Sequence, residues 1–599
     1  MRLSDYVAQY IASITPRVYG VCGAGAMHLN DAIANHPGIK VISMQNEQAA
    51  AMAAEADARV TGNIGVVSVT AGPGGTNAMT GVACAYVDSI PMLIIAGQVT
   101  SHTMMPGTGT RQVGMNELDM VSLMMPLTKS ATTVDRPDTI RHVLEHAVCV
   151  ATNGRKGPVF VEIPLDVQAA EIDPDALIGF DNTGYYPPSM ELEANALIVQ
   201  KELSGAKRPV VIVGNGVRLA GAIEEFRRIF DKAGIPVVSS WGAADIMPTG
   251  HPYYVGRCGI FGDRAANFAV QNADLILAIG TRLSVAQIGH ASKLFAKNAK
   301  KIVVDIDDNE LHRKPTIYAD IGIKADAKEF LKALRPFSRL DLWMHRCLEM
   351  KEKYKPEWKQ PTTGISSYGF VQSLTNELED TAIVVTDVGF CFIPTFQTMK
   401  LRSGQRLIHS AGVSPMGWGI PAAIGAAFAA DGKRQIVCLT GDGGAMMNLQ
   451  ELQTIAHHKL PIAIFVYEND GYATMKIAQN NHFKREVMSG PRSGLSLPDF
   501  TKIAKAFGIL TREFNSLNLL SHSLQSLLDT AAQVPVLIVM HMDPHEVIAP
   551  RVQAKTENGK FVPTDIADLW PYLPREEFAS NMNPETHGVP DVVKRFDRQ

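Results

Sequence analysis

An acid and an amide stand at a spacing suited to holding a metal ion and a diphosphate. Gly441-Asp442-Gly443-Gly444 is followed, 27 positions after Asp442, by Asn469 within Tyr467-Glu468-Asn469-Asp470-Gly471. Between them the sequence predicts one helix over 448–458 and a strand over Ile462-Ala463-Ile464-Phe465-Val466. Strand end, glycine turn, helix and second strand end make a βαβ unit, whose strand ends open on one crevice. Mg²⁺ takes about six oxygens and sheds water reluctantly, so one carboxylate, one amide and the oxygens of a diphosphate suit it. A bare Gly-Asp-Gly is more often only a turn. The spacing and the apolar strand raise this pair above that.

Three other places could join such a site. Gln45-Asn46-Glu47-Gln48 lies between a predicted strand at 41–44 and an alanine-rich helix at 49–59, which puts Glu47 at a helix start. An acid there is usually a cap, favoured by the helix dipole by ~0.3–1 kcal/mol. After the predicted strand 65–69 comes the loop Thr70-Ala71-Gly72-Pro73-Gly74-Gly75-Thr76-Asn77, whose Gly and Pro allow a tight turn and close approach to a flat ligand. No Gly-Lys-Ser/Thr follows, which excludes a phosphate-binding P-loop. Asp387-Val388-Gly389 closes another strand, and the small-residue run from Gly412 to Gly425 carries Met416, whose plain alternative is a core residue.

The elements that must position these residues alternate strand with helix almost throughout, which predicts parallel sheets covered by helices. The fold class is α/β, with three doubly wound parallel-sheet domains in series. The first block, 1–172, has strands near 18–21, 41–44, 65–69, 92–95 and 159–163. A Gly-, Pro- and acid-rich linker, 174–188, leads to a second block, 190–340, with strands near 209–214, 236–238, 275–280 and 302–306. A charged helical connector, 343–359, precedes a third block, 360–545, and the remainder, 546–599, reads as an irregular surface arm. Blocks one and three look like two copies of one kind of sheet.

With 599 residues, 46% of them hydrophobic and 19% charged, the chain is globular and too long for one core. A net charge of -4 and the lack of a basic run give no cue for nucleic acid or an anionic membrane. No apolar run approaches the ~18 residues that span a bilayer. Seven scattered cysteines without CxxC spacing argue against a zinc site or a disulfide framework and for a reducing compartment. The amphipathic N-terminus is no secretory signal. Together these predict a cytoplasmic protein.

The Gly-Asp-Gly…Asn pattern resembles the diphosphate motif of thiamin diphosphate (ThDP) enzymes. Three α/β blocks with that motif in the third are similar to the acetolactate-synthase-like branch over essentially the whole chain. The resemblance implies pyrimidine-binding, central and diphosphate-binding domains in that order. It implies that Asp442, the amide oxygen of Asn469 and the carbonyl of Gly471 hold Mg²⁺, while Gly443 and Gly444 admit the phosphates. Glu47 matches the catalytic glutamate that hydrogen-bonds the aminopyrimidine and drives the tautomer that deprotonates C2. Pro73 and Asn77 border the pyrimidine, Gly389 faces the diphosphate, and Met416 matches the wedge that holds the cofactor bent. The implied reaction is loss of CO₂ from a 2-keto acid, with pyruvate the expected donor. The acyl-anion equivalent then passes to a second carbonyl compound. The partners implied are copies of the chain, as a homodimer or homotetramer with sites at the interface.

Departures are specific. Glu468 replaces a common second Asn, and Phe390 and Cys391 follow Gly389 where polar side chains are usual. The run 475–483 lacks the acceptor-pocket Trp, and Asn116-Glu117 stands for a Gln-Glu pair. FAD, which acetolactate synthases bind in the central domain, is argued more against than for. Gly214-Asn215-Gly216 has two of three fingerprint glycines, and 280–285 lacks paired acids. The run 262–272, Asp305-Ile306-Asp307 and 310–315 look closer to relatives in sugar and cell-surface pathways, an analogy of fold-level kind. Two rivals stand: a simple 2-keto acid decarboxylase, and a catalytically silent ThDP-fold binding protein.

Overall fold

The computed structural model describes residues 1–583 apart from 106, 187–188, 313–314, 340–341, 357, 359–360, 362, 554, 558–559 and 563. Pro188, Arg313, Lys314 and Lys359, used above, lie outside the described residues. Three six-stranded sheets form, and every strand pair within them is parallel.

The first sheet holds β1 (Arg17–Gly20), β2 (Lys40–Ser43), β3 (Gly65–Val69), β4 (Met92–Gln98), β5 (Ala131–Thr133) and β6 (Pro158–Pro164), in the order 2-1-3-4-6-5. The middle sheet holds β7 (Pro209–Val213), β8 (Val237–Ser239), β9 (Tyr254–Arg257), β10 (Leu275–Ile279), β11 (Lys300–Asp305) and β12 (Ile321–Lys324), in the order 12-11-10-7-8-9. The third holds β13 (Ile383–Thr386), β14 (Arg406–Ile408), β15 (Ile436–Gly441), β16 (Ile462–Glu468), β17 (Leu510–Phe514) and β18 (Val536–His541), in the order 14-13-15-16-18-17. The first and third orders are the same once renumbered, so the two blocks share one topology. Their central strands are buried on both faces, as in β3, β4, β6 and β13, which is why they read as unbroken apolar runs.

The chain divides into two compact units. One comprises 1–187, 359–395 and 404–546, and so contains the first and third sheets. Within it the helix Glu47–Thr61 is pressed between the helices Pro73–Asp88 and Gly419–Ala430. A Cβ on Gly425 would lie 2.1 Å from the carbonyl oxygen of Ala53, and one on Gly81 2.5 Å from the Cβ of Ala51. The alanine run of 49–58 is therefore a packing surface on both sides, and its members from Ala49 to Ala54 are fully buried.

The other unit comprises 188–358, 396–403 and 547–599. Here the sequence expectation for the tail is corrected. Ile566 and Ala567 enter the core beside Phe268 and Ile288, and Asn267 and Arg264 donate to the carbonyls of Ile566 and Leu569. The proline-punctuated tail is thus a core component without long elements, because single apolar residues fill gaps that periodicity cannot report.

Other boundaries shift too. The helix expected over 448–458 starts only at Glu451 and ends at His458, while a separate helix, Asp442–Met447, stands where a glycine turn was expected, the two parted at 448–450. Helix begins at Pro73 and not at Asn77, since proline is well suited to a first helical position. The run 475–483 lies in the helix Ala473–Phe483, which contains neither Pro nor Gly to stop it.

Candidate functional site

In an open α/β sheet, ligands bind at the carboxyl ends of strands where the strand order reverses. In the third sheet that point lies between β13 and β15. Asp387 to Gly389 follows one of these strands, and Asp442 follows the other. Asn469 follows β16, the next strand across.

Asp442 is buried and opens a helix directly at the end of β15. Its Oδ1 accepts the N–H of Gly443 at 2.6 Å, and its Oδ2 accepts those of Asn469 at 2.8 Å and Gly471 at 3.0 Å. Burial pushes the carboxyl up to about 6 against those donors. The side-chain oxygen of Asn469 is buried with no hydrogen-bond partner. The Gly471 carbonyl accepts the Ala473 N–H at 3.0 Å, which leaves its second lone pair. One carboxylate, one orphaned amide oxygen and one carbonyl make a donor set that fits a hard cation sharing its shell with phosphate. Among the described residues no group of three or more His, Cys, Asp or Glu could hold a metal. An all-protein cage is therefore not what these residues form.

The bare faces of Gly443 and Gly444 have a structural reason. A Cβ on Gly443 would strike the Tyr472 ring at 2.4 Å, with the Met416 methyl 3.3 Å away. One on Gly444 would lie 2.8 Å from Oδ2 of Asp387. Tyr472 and Met416 thus wall the notch at Gly443. Asp387 braces its floor, taking the N–H groups of Val388, Gly417 and Gly419 and the hydroxyl of Thr440. Burial pushes the Asp387 carboxyl up to about 6. Asn448, at the break between the two helices, donates to the Gly417 carbonyl at 2.8 Å. Gly417, the residue after Met416, is therefore held through both its N–H and its carbonyl. Gly389 has a φ of 88° and stands 3.9 Å, measured from a built Cβ, from Thr474.

The second group forms on the first sheet. Glu47 begins the helix after β2, and its Oε2 accepts Nδ2 of Asn77 at 3.0 Å. Pro73 opens the helix that carries Asn77. The structure thus brings Glu47, Asn77 and Pro73 together at one sheet edge and Asp442, Asn469, Gly471, Gly443, Gly444, Met416 and Gly389 at another. Sequence reasoning missed Asp387 as a brace, and also Tyr472, Asn448 and Glu451. Only Asp387 left a signal, an acid ending an apolar strand opposite Gly-Asp-Gly.

The loop beside this edge, 104–118, is gathered by buried Glu117, whose carboxylate accepts the N–H groups of Met105, Val113 and Gly114. In the other unit, Gly214 and Gly216 serve packing on their own sheet: Cβ atoms there would lie 2.1 Å from the Gly280 oxygen and 2.7 Å from its Cα. These glycines give FAD no support.

Two like sheets, one offering an acid at its edge and the other a carboxylate–amide notch, define a ThDP-dependent α/β enzyme. The thiamine pyrophosphate enzyme N-terminal TPP binding domain matches residues 1–123, the central domain 198–334, and the C-terminal TPP binding domain 387–540. The chain belongs to the thiamine pyrophosphate enzyme family, in its acetolactate-synthase-like branch. It is similar to a probable acetolactate synthase large subunit of Methanocaldococcus jannaschii, 32% identical over 546 residues, covering 89% of this chain and 90% of the relative. It is also similar to the acetolactate synthase isozyme 2 large subunit of Escherichia coli (strain K12), 31% identical over 546 residues, with 91% and 96% covered. The acetolactate synthase large subunit of Lactococcus lactis is 30% identical over 558 residues, with 92% and 94% covered.

Proposed function

We propose that this chain is a ThDP- and Mg²⁺-dependent carboligase that removes CO₂ from a 2-keto acid, pyruvate being the first candidate, and joins the remaining fragment to a second carbonyl compound. The orphaned Asn469 oxygen beside Asp442 carries the reading, because a buried acceptor without a partner costs about 1–3 kcal/mol unless a ligand satisfies it. Bound ThDP supplies the electron sink that makes loss of CO₂ possible. The chain's residues do the rest. Asp442, Asn469 and the Gly471 carbonyl hold the metal, and main-chain N–H groups near Gly443, Gly444 and Gly389 meet the diphosphate. Met416 and Tyr472 shape the notch, and Pro73 borders the pyrimidine. Glu47, steadied by Asn77, holds the proton at the pyrimidine ring nitrogen.

The blocks 1–172, 190–340 and 360–545 serve as pyrimidine-binding, central and diphosphate-binding domains. Glu47 serves the notch of a second copy, so a homodimer is the smallest active form and a homotetramer a natural extension. The buried thiols, none in a disulfide, support a reducing cytoplasmic setting. Among the described residues no helix is long and apolar enough to cross a membrane. The test is Mg²⁺-dependent ThDP binding with CO₂ release and product analysis on pyruvate, with and without an added aldehyde or ketone, for wild type and Glu47→Gln. Binding by both, with turnover and a ligated product in wild type alone, supports the proposal. Absence of ThDP binding sinks it, and release of only the free aldehyde would make the protein a simple decarboxylase.

A further inference from the structure

We propose that Glu451 is a positioning residue for Glu47, fixing the start of the Glu47–Thr61 helix and so the direction of the Glu47 carboxyl. This rests on the role of Glu47 given above.

Glu451 lies in the first turn of the helix Glu451–His458 and is fully buried. Its carboxylate bonds the segment that leads into the Glu47–Thr61 helix. Oε1 accepts the main-chain N–H groups of Gln45 and Asn46, both at 3.1 Å. Oε2 accepts the hydroxyl of Thr454 at 2.7 Å and lies 3.4 Å from the Gln45 nitrogen. The partners are more than 400 positions away in sequence. A carboxylate buried so completely is costly unless its lone pairs are met, and burial pushes Glu451 up to about 7. Asn46 caps the same helix with its own side chain, accepting the Gln48 N–H at 2.8 Å. The N–H groups of Gln45, Asn46 and Gln48 are thus met by Glu451 and Asn46. An acid in the first turn often performs that capping itself. Here Glu47 is spared it, and its carboxyl is directed to Asn77.

The segment that carries Glu451 also reaches the notch. It starts at Asp442, holds the carbonyl of Gly417, next to Met416, through Asn448, and then meets Gln45 and Asn46. A short stretch of chain therefore sets the metal ligand, the wedge and the direction of the acid.

The test pairs Glu451→Gln with Glu451→Met. Gln keeps an oxygen for both N–H groups and can turn its NH₂ toward Thr454, whereas Met has similar length and no comparable acceptor. Two readouts apply: deuterium exchange at C2 of bound ThDP, and amide hydrogen exchange of residues 44–48 in the cofactor-free protein. Glu451→Gln is expected to keep C2 exchange within about threefold of wild type and to keep 44–48 protected, since the acceptor geometry survives. Glu451→Met is expected to slow C2 exchange by roughly 10–100-fold and to expose 44–48, as loss of a supporting partner does elsewhere. Wild-type C2 exchange in Glu451→Met, or equal losses in both variants, overturns the proposal. Should Glu451→Met not fold, amide exchange in the other two proteins decides. Protection in both supports the proposal, and an exposed 44–48 segment in either overturns it. Glu47→Gln is run alongside. If it leaves C2 exchange unchanged, the role of Glu47 fails by itself, while 44–48 protection still reports on Glu451.

Discussion

Asn469 gives its main-chain N–H to Asp442 at 2.8 Å while its own side-chain oxygen stays buried without a hydrogen-bond partner. One residue therefore both holds Asp442 through its main chain and, in the proposed function, offers the second metal ligand. Asn469→Ala keeps the main-chain bond and removes only the ligand. We expect Mg²⁺-dependent ThDP affinity to fall by roughly 10–100-fold, with the apo unfolding midpoint little changed. Asp442→Ala leaves three N–H groups without their acceptor and should lower apo stability by about 1–3 kcal/mol as well. Titration with ThDP and Mg²⁺ beside thermal unfolding separates the two effects. Equal affinity in wild type and Asn469→Ala would refute the ligand assignment.

Met416 touches the Gly443 face, and the next residue, Gly417, is held by Asp387 through its N–H and by Asn448 through its carbonyl. Met416→Ala should keep ThDP affinity within a few-fold and reduce kcat by about tenfold or more, because the wedge acts on cofactor shape and not on its anchoring. Met416→Leu, close in volume, should retain most activity. Steady-state kinetics with a separate binding isotherm decides this. A large loss of affinity with unchanged kcat would show that Met416 anchors the cofactor.

Glu162 supplies a pH signature away from the notch. Its buried carboxylate accepts Nε2 of Gln98 at 2.8 Å and the hydroxyl of Thr133 at 2.9 Å, and burial pushes it up to about 7. A carboxyl raised in the folded state favours the protonated form there. Its stabilising effect is present below the unfolded value and is lost as pH rises through about 7. The unfolding free energy of the apo protein should therefore fall between about pH 5 and 8, by an amount on the order of 2 kcal/mol from this group. Glu162→Gln should flatten that part of the curve. Identical slopes in wild type and variant would count against it.

Gly425 sits where the helix Gly419–Ala430 meets the carbonyl of Ala53. Gly425→Ala gains helix propensity and yet must force the two helices apart, so we expect a net loss of about 1–3 kcal/mol. Chemical denaturation measures it. A more stable variant would mean that the two helices yield without cost. Trp418, whose Nε1 donates to buried Glu55 at 2.7 Å, ties the same two helices together.

A last prediction concerns assembly. If Glu47 serves a second copy, activity should fall on dilution before ellipticity does, and excess ThDP with Mg²⁺ should oppose that fall. Specific activity and sedimentation over a dilution series check this. A fully active monomer rules the shared site out.

The sequence by itself determined five of the six strands of the first sheet and β16 of the third, because strands buried on both faces read as short unbroken apolar segments. It also determined Asp442, Asn469 and Glu47 as candidate groups, since their chemistry is tied to strand ends that local pattern reveals. It underreported the edge strands β5, β9 and β12, which are only three or four residues long, and it misjudged where helices begin around Pro73 and Asn448. What only the tertiary structure decided were contacts between distant segments. Glu451 on Gln45 and Asn46, Asp387 on Gly417, Tyr472 over Gly443 and Ile566 in the middle core leave no local periodicity. Each depends on how sheets and helices stack, and a hydrogen bond across some 400 residues is invisible until the chain has folded around it.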